Sequence, residues 1–497
     1  MSRSTAGAAG LAIERKSIDY IPESERHGRV IHQAPFWFLG NFHFFTIAIG
    51  FVGPSMGLSF GYTSLAGALG ILFGTIFVAF HAAQGAELGL PQMIQSRAQF
   101  GFCGVIVVLI GTLFTFVGFN VADCVLTAHG LNGILGWNET LVTIVASAAG
   151  ALLAIYGHDW LHRIFRWCFW LCMPLYTLLT LAIVLHWIPV PHPVAAGFTA
   201  VGFFGQFAAS ASYNIAFAPS VSDYSRYLPR DSKPQAIIAA VYAGAASSAI
   251  WLIAVGAWLA TRLGASDGLV ALYEAGNSLY SGFGVVLALA SVVALTATMG
   301  LNAYSGMLTA LTALSSLFEM RPSASLRVIT LIVLAVVWAG LTLVISANSI
   351  ALLFAVLTIM LYLLVPWTSI NLVDYFFVRR GRYAITELFA PHGIYGSWSA
   401  RGLAAYGVGF AAALPFFVLP DIYMGPAARA LGGVDLGWLV GLLVSGALYL
   451  WLSRSFDPAR ESQAIRDSAR SLSQPGCDSE AESVFNYLSA GKIKHTG

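Results

Sequence analysis

Apolar stretches of membrane-spanning length alternate with short polar loops along most of this chain. A helix that crosses a bilayer needs about 20 apolar residues, and twelve stretches reach that size. They cover residues 35–60, 64–85, 101–131, 139–157, 165–188, 199–219, 235–262, 280–316, 328–346, 348–377, 402–420 and 434–453. The runs are continuous and lack the alternation of barrel strands. The pattern therefore predicts an all-α integral membrane protein with twelve transmembrane helices.

Basic residues are distributed unequally between the two sets of loops. Of the 14 Lys and Arg between residues 40 and 450, 12 fall in cytoplasmic loops if the amino terminus is cytoplasmic, and only Arg262 and Arg429 fall outside. This asymmetry follows the positive-inside rule. We therefore expect a multi-pass protein of the cell (inner or plasma) membrane with two cytoplasmic tails, residues 1–34 and 454–497. The polar amino-terminal tail shows no cleavable signal peptide.

The first and sixth segments are interrupted at matching places. The first carries, in order, Asn41, His43, Thr46, Gly50, Gly53 and Pro54. The sixth carries Gln206, Ser210, Ser212, Tyr213, Asn214 and Pro219. A proline inside a helix frees a carbonyl that hydrocarbon cannot satisfy, so such breaks occur where protein or a polar cavity surrounds them. We therefore predict that the first and sixth helices are broken and flank a site at the middle of the membrane.

Two broken helices five segments apart indicate an inverted five-plus-five repeat of the transporter type. The first repeat is then 35–190, the second is 199–377, and 402–453 holds two additional helices. The alternative is a pair of simple kinks, because glycine and proline are common in membrane helices in general.

Composition supports the membrane interpretation and excludes several functions. Hydrophobic residues make up 58% of the 497 residues and charged residues 10%, with a mean hydropathy of +0.75. A soluble protein has about 25% charged residues. The net charge of +2 comes from dispersed groups, so nucleic acid is not an expected partner. The five cysteines form no CxxC pair, and we expect no cofactor and assign no metal site with certainty. No HExxH or P-loop is present, which argues against a zinc protease of that type or an ATP-driven pump.

Several short motifs resemble the nucleobase:cation symporter-1 family, in its purine–cytosine permease branch. They are PESERHG at 22–28, GFVGP at 50–54, GAELGLPQMIQSRAQFG at 85–101, SDYSRYLP at 222–229 and NAYSGMLTAL at 302–311. The third and fourth are specific, whereas GFVGP and NAYSGMLTAL are weak by themselves. The resemblance implies a LeuT-like fold with an inverted repeat and cation-coupled import of nucleobases or related heterocycles.

The resemblance also implies a substrate site in which two aromatic rings enclose a flat heterocycle. The third-helix pattern of the branch is similar to VGFNVAD at 117–123, which places Phe119 on one ring position. The sixth-helix pattern is similar to FAPSVSD and places Phe217 on the other. Both positions are more often Trp in the family. Phe keeps the ring face for stacking but loses the indole N–H. For either Phe alone, core packing is the alternative.

Asp123 departs from the family, which generally has Asn or Gln at this position. Phe119 and Asp123 are four residues apart and share a helix face. A carboxylate at membrane depth is costly unless it is paired, which makes it a functional candidate. It can accept hydrogen bonds from a substrate amine or carry a coupling proton. The structural alternative is a bond to a helix hydroxyl or to His43, which we expect to be a hydrogen-bonded core residue.

Further residues are implied by the resemblance. Asn302 corresponds to a substrate-contacting amide of the eighth helix, although an interhelical contact is an equal alternative, and Asn41 lies at the first-helix break. Thr296 and Thr298 are candidates for cation coupling, together with Asp123. Only Thr296 matches the hydroxyl position that sodium-coupled members use, and Ala297 occupies the neighbouring one. The coupling ion is therefore H⁺ or Na⁺, with a proton at least as well supported.

The predicted function is secondary active transport of a nucleobase such as cytosine or a purine. The same fold with another cargo is the first alternative: allantoin or hydantoin, hydroxymethylpyrimidine or thiamine. A channel is the alternative from a different class and would not accumulate substrate. The sequence alone does not distinguish among these substrates and does not indicate an oligomeric state.

Overall fold

The computed structural model describes residues 14, 16–190, 197–320, 323–345, 349–419 and 422–473. The outer parts of both predicted tails, 1–13 and 474–497, lie outside the described residues.

The described chain is almost entirely helical. In chain order the α-helices are α1 (Gln33–Leu39), α2 (Phe44–Ile49), α3 (Val52–Ser55), α4 (Phe60–Leu88), α5 (Gln92–Gln95), α6 (Arg97–Phe100), α7 (Ile106–Leu135), α8 (Glu139–Tyr156), α9 (His158–Val184), α10 (Ala200–Ile215), α11 (Ala218–Ser225), α12 (Pro234–Leu263), α13 (Gly268–Leu279), α14 (Phe283–Leu317), α15 (Ala324–Val344), α16 (Ser349–Val373), α17 (Ala400–Ala413), α18 (Pro426–Ala430), α19 (Gly437–Leu452) and α20 (Pro458–Leu472).

Short elements complete the architecture. Tight single turns of helix cover Glu23–Glu25, Val30–His32, Ile385–Phe389 and Leu414–Phe416, and a wider turn covers Asp374–Val378. Strands β1 (Val418–Leu419) and β2 (Tyr423–Met424) pair antiparallel in a small hairpin.

Every predicted apolar segment coincides with one long helix or with a group of short ones. Among the described residues, eight helices are long and apolar enough to cross a membrane, and a ninth span results if Val30–Leu39 and Phe44–Ser55 are joined across their 62° bend. The three remaining segments correspond to α10 with α11, to α17 and to α19, which are shorter. The chain is therefore a multi-pass membrane protein, and the count of twelve spans stays a prediction.

The outer surface of the bundle is apolar where α9 and α15 face outward. Large hydrophobic side chains stand exposed there, among them Trp167, Trp170, Leu178, Leu181, Ile329, Ile332, Val333 and Val336. A soluble protein rarely leaves such continuous apolar faces open. They fit the acyl chains of the lipid bilayer.

The interior holds α4 between α10, α11 and α12, while α7 packs against α14 and α16. The first segment lies between these groups and meets α12 with its backbone. A Cβ on Gly256 would be 2.0 Å from the carbonyl oxygen of Ile47, and one on Gly50 would be 2.3 Å from that of Ile253. Only glycine permits this approach, which brings the broken first segment close to α12.

The prediction of two interrupted segments is confirmed. The main break of the first segment lies at residues 40–43, between α1 and α2, and not at the GFVGP motif, where the chain makes only a shorter interruption between α2 and α3. The sixth segment is interrupted between α10 and α11, with Pro219 in the first turn of α11. The first break forms earlier than glycine and proline suggested because His43 takes an extended backbone and its ring bonds the Gly40 carbonyl.

Both tails fold against the bundle in their described parts. Ile18 and Ile21 are fully buried, and the Ser17 carbonyl accepts a hydrogen bond from Arg226 at 2.7 Å. At the other end of the chain, Glu461 of α20 forms an ion pair with Arg379 at 3.0 Å. The tails thus contribute to the same end of the molecule as the loops predicted to be cytoplasmic.

Candidate functional site

The two helix breaks meet at Asn41. Its Nδ2 donates to Asn214 Oδ1 at 3.0 Å and to the Ala245 carbonyl at 2.9 Å, and Asn214 in turn donates to Thr75 at 2.6 Å. One amide therefore ties α10, α12 and, through Asn214, α4 to the first break. Asn41 Oδ1 is buried and has no hydrogen-bond partner within the described ranges.

Polar side chains satisfy the backbone that the first break exposes. The Thr46 hydroxyl donates to the Asn41 carbonyl at 2.6 Å and lies 2.6 Å from the Tyr213 hydroxyl of α10. His43 Nε2 bonds the Gly40 carbonyl at 3.1 Å, whereas His43 Nδ1 has no partner among described residues. These bonds supply partners that hydrocarbon cannot, so the break is stable at membrane depth.

Phe119 and Phe217 form a nearly parallel pair of rings beside the breaks. Their centroids are 6.5 Å apart and their planes differ by 11°. Phe45 and Tyr213 adjoin the pair, with Phe45 5.6 Å from Phe119 and Tyr213 6.0 Å from Phe217. A flat ring held between two others needs about 7 Å, which is twice the stacking distance. The Phe119–Phe217 centroid separation is slightly below this distance, so the slot between the two rings must widen to hold one aromatic heterocycle.

Asp123 lies one turn beyond Phe119 on α7 and is 1% exposed. Its Oδ2 has no hydrogen-bond partner in the described part of the chain, and His43 directs its Nε2 to Gly40 instead. The pairing with His43 that would make Asp123 a structural carboxylate is thus not formed. A buried carboxylate oxygen without a partner costs several kcal/mol, about 1 to 3 for the lost hydrogen bond alone. That oxygen is available to a donor on a ligand.

Asn302 connects two helices beside the same rings. Its Nδ2 donates to Asn120 Oδ1 at 3.2 Å, and Asn120 donates to the Met299 carbonyl at 3.3 Å. Asn120 follows Phe119 directly on α7, so the amide pair holds α7 against α14 next to the slot. The geometry fits the interhelical alternative for Asn302, and a direct substrate contact stays a prediction.

The two threonines proposed for cation coupling both bond their own helix. Thr296 Oγ1 donates to the Val292 carbonyl at 2.9 Å, and Thr298 Oγ1 donates to the Ala294 carbonyl at 3.5 Å. Thr298 is 4% exposed, and Thr296 is partly exposed. The structure thus places Phe119, Phe217, Asp123 and Asn41 beside the helix breaks. The Thr296 and Thr298 hydroxyls form their hydrogen bonds within α14 and none to the breaks.

The sequence analysis did not identify three residues of this site: Phe45, Tyr213 and Asn120. Phe45 had no signal beyond its place in a Phe-rich segment. Tyr213 stood out only as one of the polar residues before the sixth-helix break, and Asn120 only as an amide beside Phe119. The signal that could have pointed to Tyr213 and Asn120 is a polar residue within one helical turn of a candidate aromatic residue.

A second buried polar cluster lies at the end of the molecule where the tails fold. We call it the Glu14 cluster: Glu14, Arg226, Tyr227, Tyr304 and Arg327. The Glu14 carboxylate lies 3.3 Å from Arg327 and 3.8 Å from Arg226, and accepts from Tyr304 at 3.0 Å and from Tyr227. The two arginine side chains are 1% and 0% exposed.

Electrostatics in the Glu14 cluster favour the ionised acid. Burial by itself would raise the pKa of Glu14, but the charges of Arg327 and Arg226 and the Tyr227 hydroxyl outweigh it and hold the pKa below its usual range. No sequence signal marked Glu14, which lies in a polar tail.

The two specific motifs of the sequence also meet in space. The Ser222 hydroxyl lies 2.5 Å from Gln92 Oε1 and 2.9 Å from the His81 carbonyl, and the backbone N–H of Gln92 donates to Asp223 Oδ1 at 3.1 Å. Gly85 lies so close that a Cβ would be 2.1 Å from the Ser225 hydroxyl. The contact joins the end of α4 to α11.

Comparison with known sequences gives one consistent family. Residues 20–441 match the family described as permease for cytosine/purines, uracil, thiamine, allantoin. The candidate purine-cytosine permease YxlA of Bacillus subtilis (strain 168) is 33% identical over 447 residues, which are 89% of this chain and 96% of that protein. The purine-cytosine permease FCY2 of Saccharomyces cerevisiae is 26% identical over 270 residues, 50% of this chain and 48% of that one. These relatives are permeases and not enzymes.

Solved structures show the same fold. Mhp1, a nucleobase-cation-symport-1 family transporter in a closed conformation with bound bromovinylhydantoin, superposes with a TM-score of 0.69 at 18% identity over 93% of this chain and 97% of that one. The inward-facing conformation of Mhp1 superposes with a TM-score of 0.66 at 17% identity over 93% and 100% of the two chains.

Proposed function

The chain belongs to the purine–cytosine permease branch of the nucleobase:cation symporter-1 family, and we propose that it imports an amino-bearing nucleobase such as cytosine or adenine. Import is coupled to a cation and proceeds by alternating access. The observation that carries the proposal is the parallel Phe119–Phe217 pair, 6.5 Å between centroids, with the unpartnered Asp123 oxygen one helical turn away.

The chemistry of this slot fits a flat, hydrogen-bonding ring. Stacking a base on an aromatic side chain is worth about 1–3 kcal/mol per base, and two phenyl faces give no preference among bases. Selection then falls to polar groups. Asp123 Oδ2 and Asn41 Oδ1 are both acceptors without partners among described residues, so they favour a substrate that presents N–H groups. Cytosine and adenine present an exocyclic amine and a ring N–H.

The conformation supports a cycle in which access changes sides. Phe119, Phe217 and Asp123 are each no more than 5% exposed, so a substrate cannot reach the slot without movement. At the tail end, the Glu14 cluster joins the amino-terminal segment to α14 and α15 through Tyr304 and Arg327. Opening toward that side requires these bonds to break, which is the step we assign to release.

We infer that the coupling ion is a proton. Two carbonyls at the first break are already bonded, Gly40 to His43 and Asn41 to Thr46, and both candidate threonine hydroxyls donate within α14. A sodium ion needs several free oxygens, whereas a proton needs one carboxylate. Uptake that persists when choline replaces sodium and collapses with a protonophore supports this inference. Uptake that requires sodium contradicts it.

The loops and tails that are predicted to be cytoplasmic contact one another, which supports twelve spans with both termini in the cytoplasm. Segments near Arg97, His158, Arg226, Arg327 and Arg379 bond one another or the tails, as in Arg97 with the Leu388 carbonyl at 3.1 Å. Membrane-impermeant labelling of single cysteines at Arg230 and Asp267 tests the topology. We expect Arg230 to label from the cytoplasm and Asp267 from outside, and labelling of both from one side contradicts twelve spans.

The substrate is tested by competition in proteoliposomes. Radiolabelled cytosine and adenine uptake is measured against a panel of purines, pyrimidines, allantoin, hydroxymethylpyrimidine and thiamine. We expect accumulation against a gradient, with strongest competition by amino-bearing bases. Preference for allantoin or thiamine would assign the fold to another cargo. Flux without accumulation, with ion currents that exceed substrate flux, would indicate a channel.

A further inference from the structure

Outside the substrate site, the described residues contain one group of three metal-ligating side chains: His27, His158 and Asp159. One potential ligand atom from each lies within 4.8 Å of the other two. His27 belongs to the amino-terminal segment, and the other two open α9. The group therefore joins two parts of the chain that are distant in sequence, at the tail end of the molecule.

The distances at Asp159 match those between ligands of one metal ion. Asp159 Oδ1 lies 3.3 Å from His27 Nε2 and 3.1 Å from His158 Nδ1. In a tetrahedral zinc site with bonds of about 2.0–2.2 Å, neighbouring ligand atoms are about 3.3–3.6 Å apart. Two of the three distances between ligand atoms are already near that length. Only the His27 and His158 nitrogens must move closer to each other.

Backbone carbonyls orient both imidazoles for this role. His27 Nδ1 lies 3.0 Å from the Glu25 carbonyl, and His158 Nε2 lies 3.3 Å from the Tyr224 carbonyl. A carbonyl only accepts hydrogen bonds, so each ring donates an N–H to its carbonyl, and the other ring nitrogen faces Asp159. Without metal, a proton on that nitrogen bonds the Asp159 carboxylate, and a metal ion would take the place of that proton. Such carbonyl contacts are the usual outer support of metal-bound histidine.

We propose that His27, His158 and Asp159 bind a divalent transition-metal ion of the Zn²⁺ class, with water as the fourth ligand. Two imidazole nitrogens and one carboxylate oxygen favour zinc over the oxygen-preferring Mg²⁺ and Ca²⁺. The His27 and Asp159 side chains are 54% and 70% exposed, so the ion reaches the site from the aqueous phase. Bound metal ties the amino-terminal segment to α9 and restrains the Glu14 cluster, since the His158 amide also donates to Glu14 at 3.1 Å.

Zinc binding to the full-length protein, with affinity tags removed, tests the site. Isothermal titration with ZnCl₂ in detergent is expected to show one ion per chain. Because His27 and Asp159 are exposed, His27→Ala and Asp159→Asn preserve the fold, and each is expected to weaken binding at least about 10-fold. The matched control is His129→Ala, which removes another exposed histidine–carboxylate pair, 3.6 Å from Glu139. It leaves the affinity unchanged.

The outcome separates the proposal from adventitious binding. Unchanged zinc affinity in both His27→Ala and Asp159→Asn overturns the site, as does loss of binding in His129→Ala. Co²⁺ is a second probe, because four-coordinate Co²⁺ absorbs strongly in the visible range and the band must vanish in His27→Ala. Hydrogen exchange measures whether zinc links the amino-terminal segment to α9. Zinc is expected to slow exchange in residues 22–32 of the unmodified protein and to leave it unchanged in His27→Ala and Asp159→Asn. Binding without slower exchange there would overturn the proposed link to α9.

Discussion

Glu14 and Asp123 are both nearly buried carboxylates, and their surroundings are opposite. Glu14 contacts two arginines, two tyrosine hydroxyls and the His158 amide. Asp123 is deeper, and its Oδ2 has no partner among the described residues. Removing one member of a paired buried group is strongly destabilising, whereas an unpaired buried charge is already a cost to the fold. We therefore expect Glu14 to stabilise this conformation, and we propose a functional role for Asp123.

The largest effect is expected from Asp123→Asn. Concentrative uptake should fall to the level of empty vesicles if the carboxylate carries the proton, while thermal stability should stay equal or rise because an uncompensated acid is removed. If Asp123 contacts the substrate amine, binding of cytosine and adenine should weaken more than that of oxo-bearing analogues, since the new NH₂ opposes the donor. Equilibrium binding in detergent and uptake at several pH values distinguish these roles.

Wild-type behaviour of Asp123→Asn in both assays would remove the contrast with Glu14. Asp123 would then be a structural carboxylate, and both functional roles would be wrong.

Glu14→Gln is expected to destabilise the protein by about 3 kcal/mol, because it leaves Arg226 and Arg327 buried without a counter-charge. The matched control is Glu23→Gln, which breaks the exposed pair with Arg230 at 3.0 Å and should cost less than about 1 kcal/mol. Thermal unfolding in detergent measures both. Equal, small losses would show that the Glu14 cluster does not hold the closed tail end.

Phe119→Ala and Phe217→Ala should each weaken substrate binding by about 1–3 kcal/mol, a factor of roughly 5 to 150 in Kd, through loss of one stacking face. Phe77→Ala is the control, since Phe77 is a buried ring that packs on Phe73 at 5.1 Å. It should lower stability without changing affinity. Near-normal affinity in either slot variant would exclude that ring from the site.

Asp267 is intermediate between the two carboxylates and should show the smallest effect. Its Oδ1 caps α13 by accepting from Leu269 and Val270, both at 2.8 Å, while Oδ2 has no partner among described residues. Burial raises the pKa of Asp267 above its usual value. The charged form is therefore penalised in the folded state, and stability declines as pH rises from the unfolded pKa to the folded one.

Asp267→Asn keeps the cap and removes the charge. We expect no change in unfolding free energy near pH 4 and a gain of about 0.5 kcal/mol at pH 8, kept small by solvent screening. Denaturant titrations at both pH values provide the measurement. A loss of stability at pH 8 would mean that the carboxylate charge supports the cap.

Local signals in the sequence were reliable for elements and weak for partners. All twelve segments correspond to helices, because long apolar runs have few alternatives in a bilayer. The broken first and sixth segments were also predictable, although the first break lies at His43 and not at the glycine–proline motif. Phe119 and Phe217 came from family resemblance, and nothing local implied that their planes would be nearly parallel.

The sequence by itself determined the membrane class and the positions of the helices, because hydropathy and helix interruption are properties of short windows. The roles of Phe119, Phe217 and Asp123 are predictions that the family resemblance implies. Only the tertiary structure decided the pairings. Asn41 bonds a residue 173 positions away, and Glu14 pairs with one 313 positions away. Such contacts depend on how glycine-lined helices pack. The same packing decided that Glu14 pairs with two arginines and that Asp123 Oδ2 has no partner among the described residues.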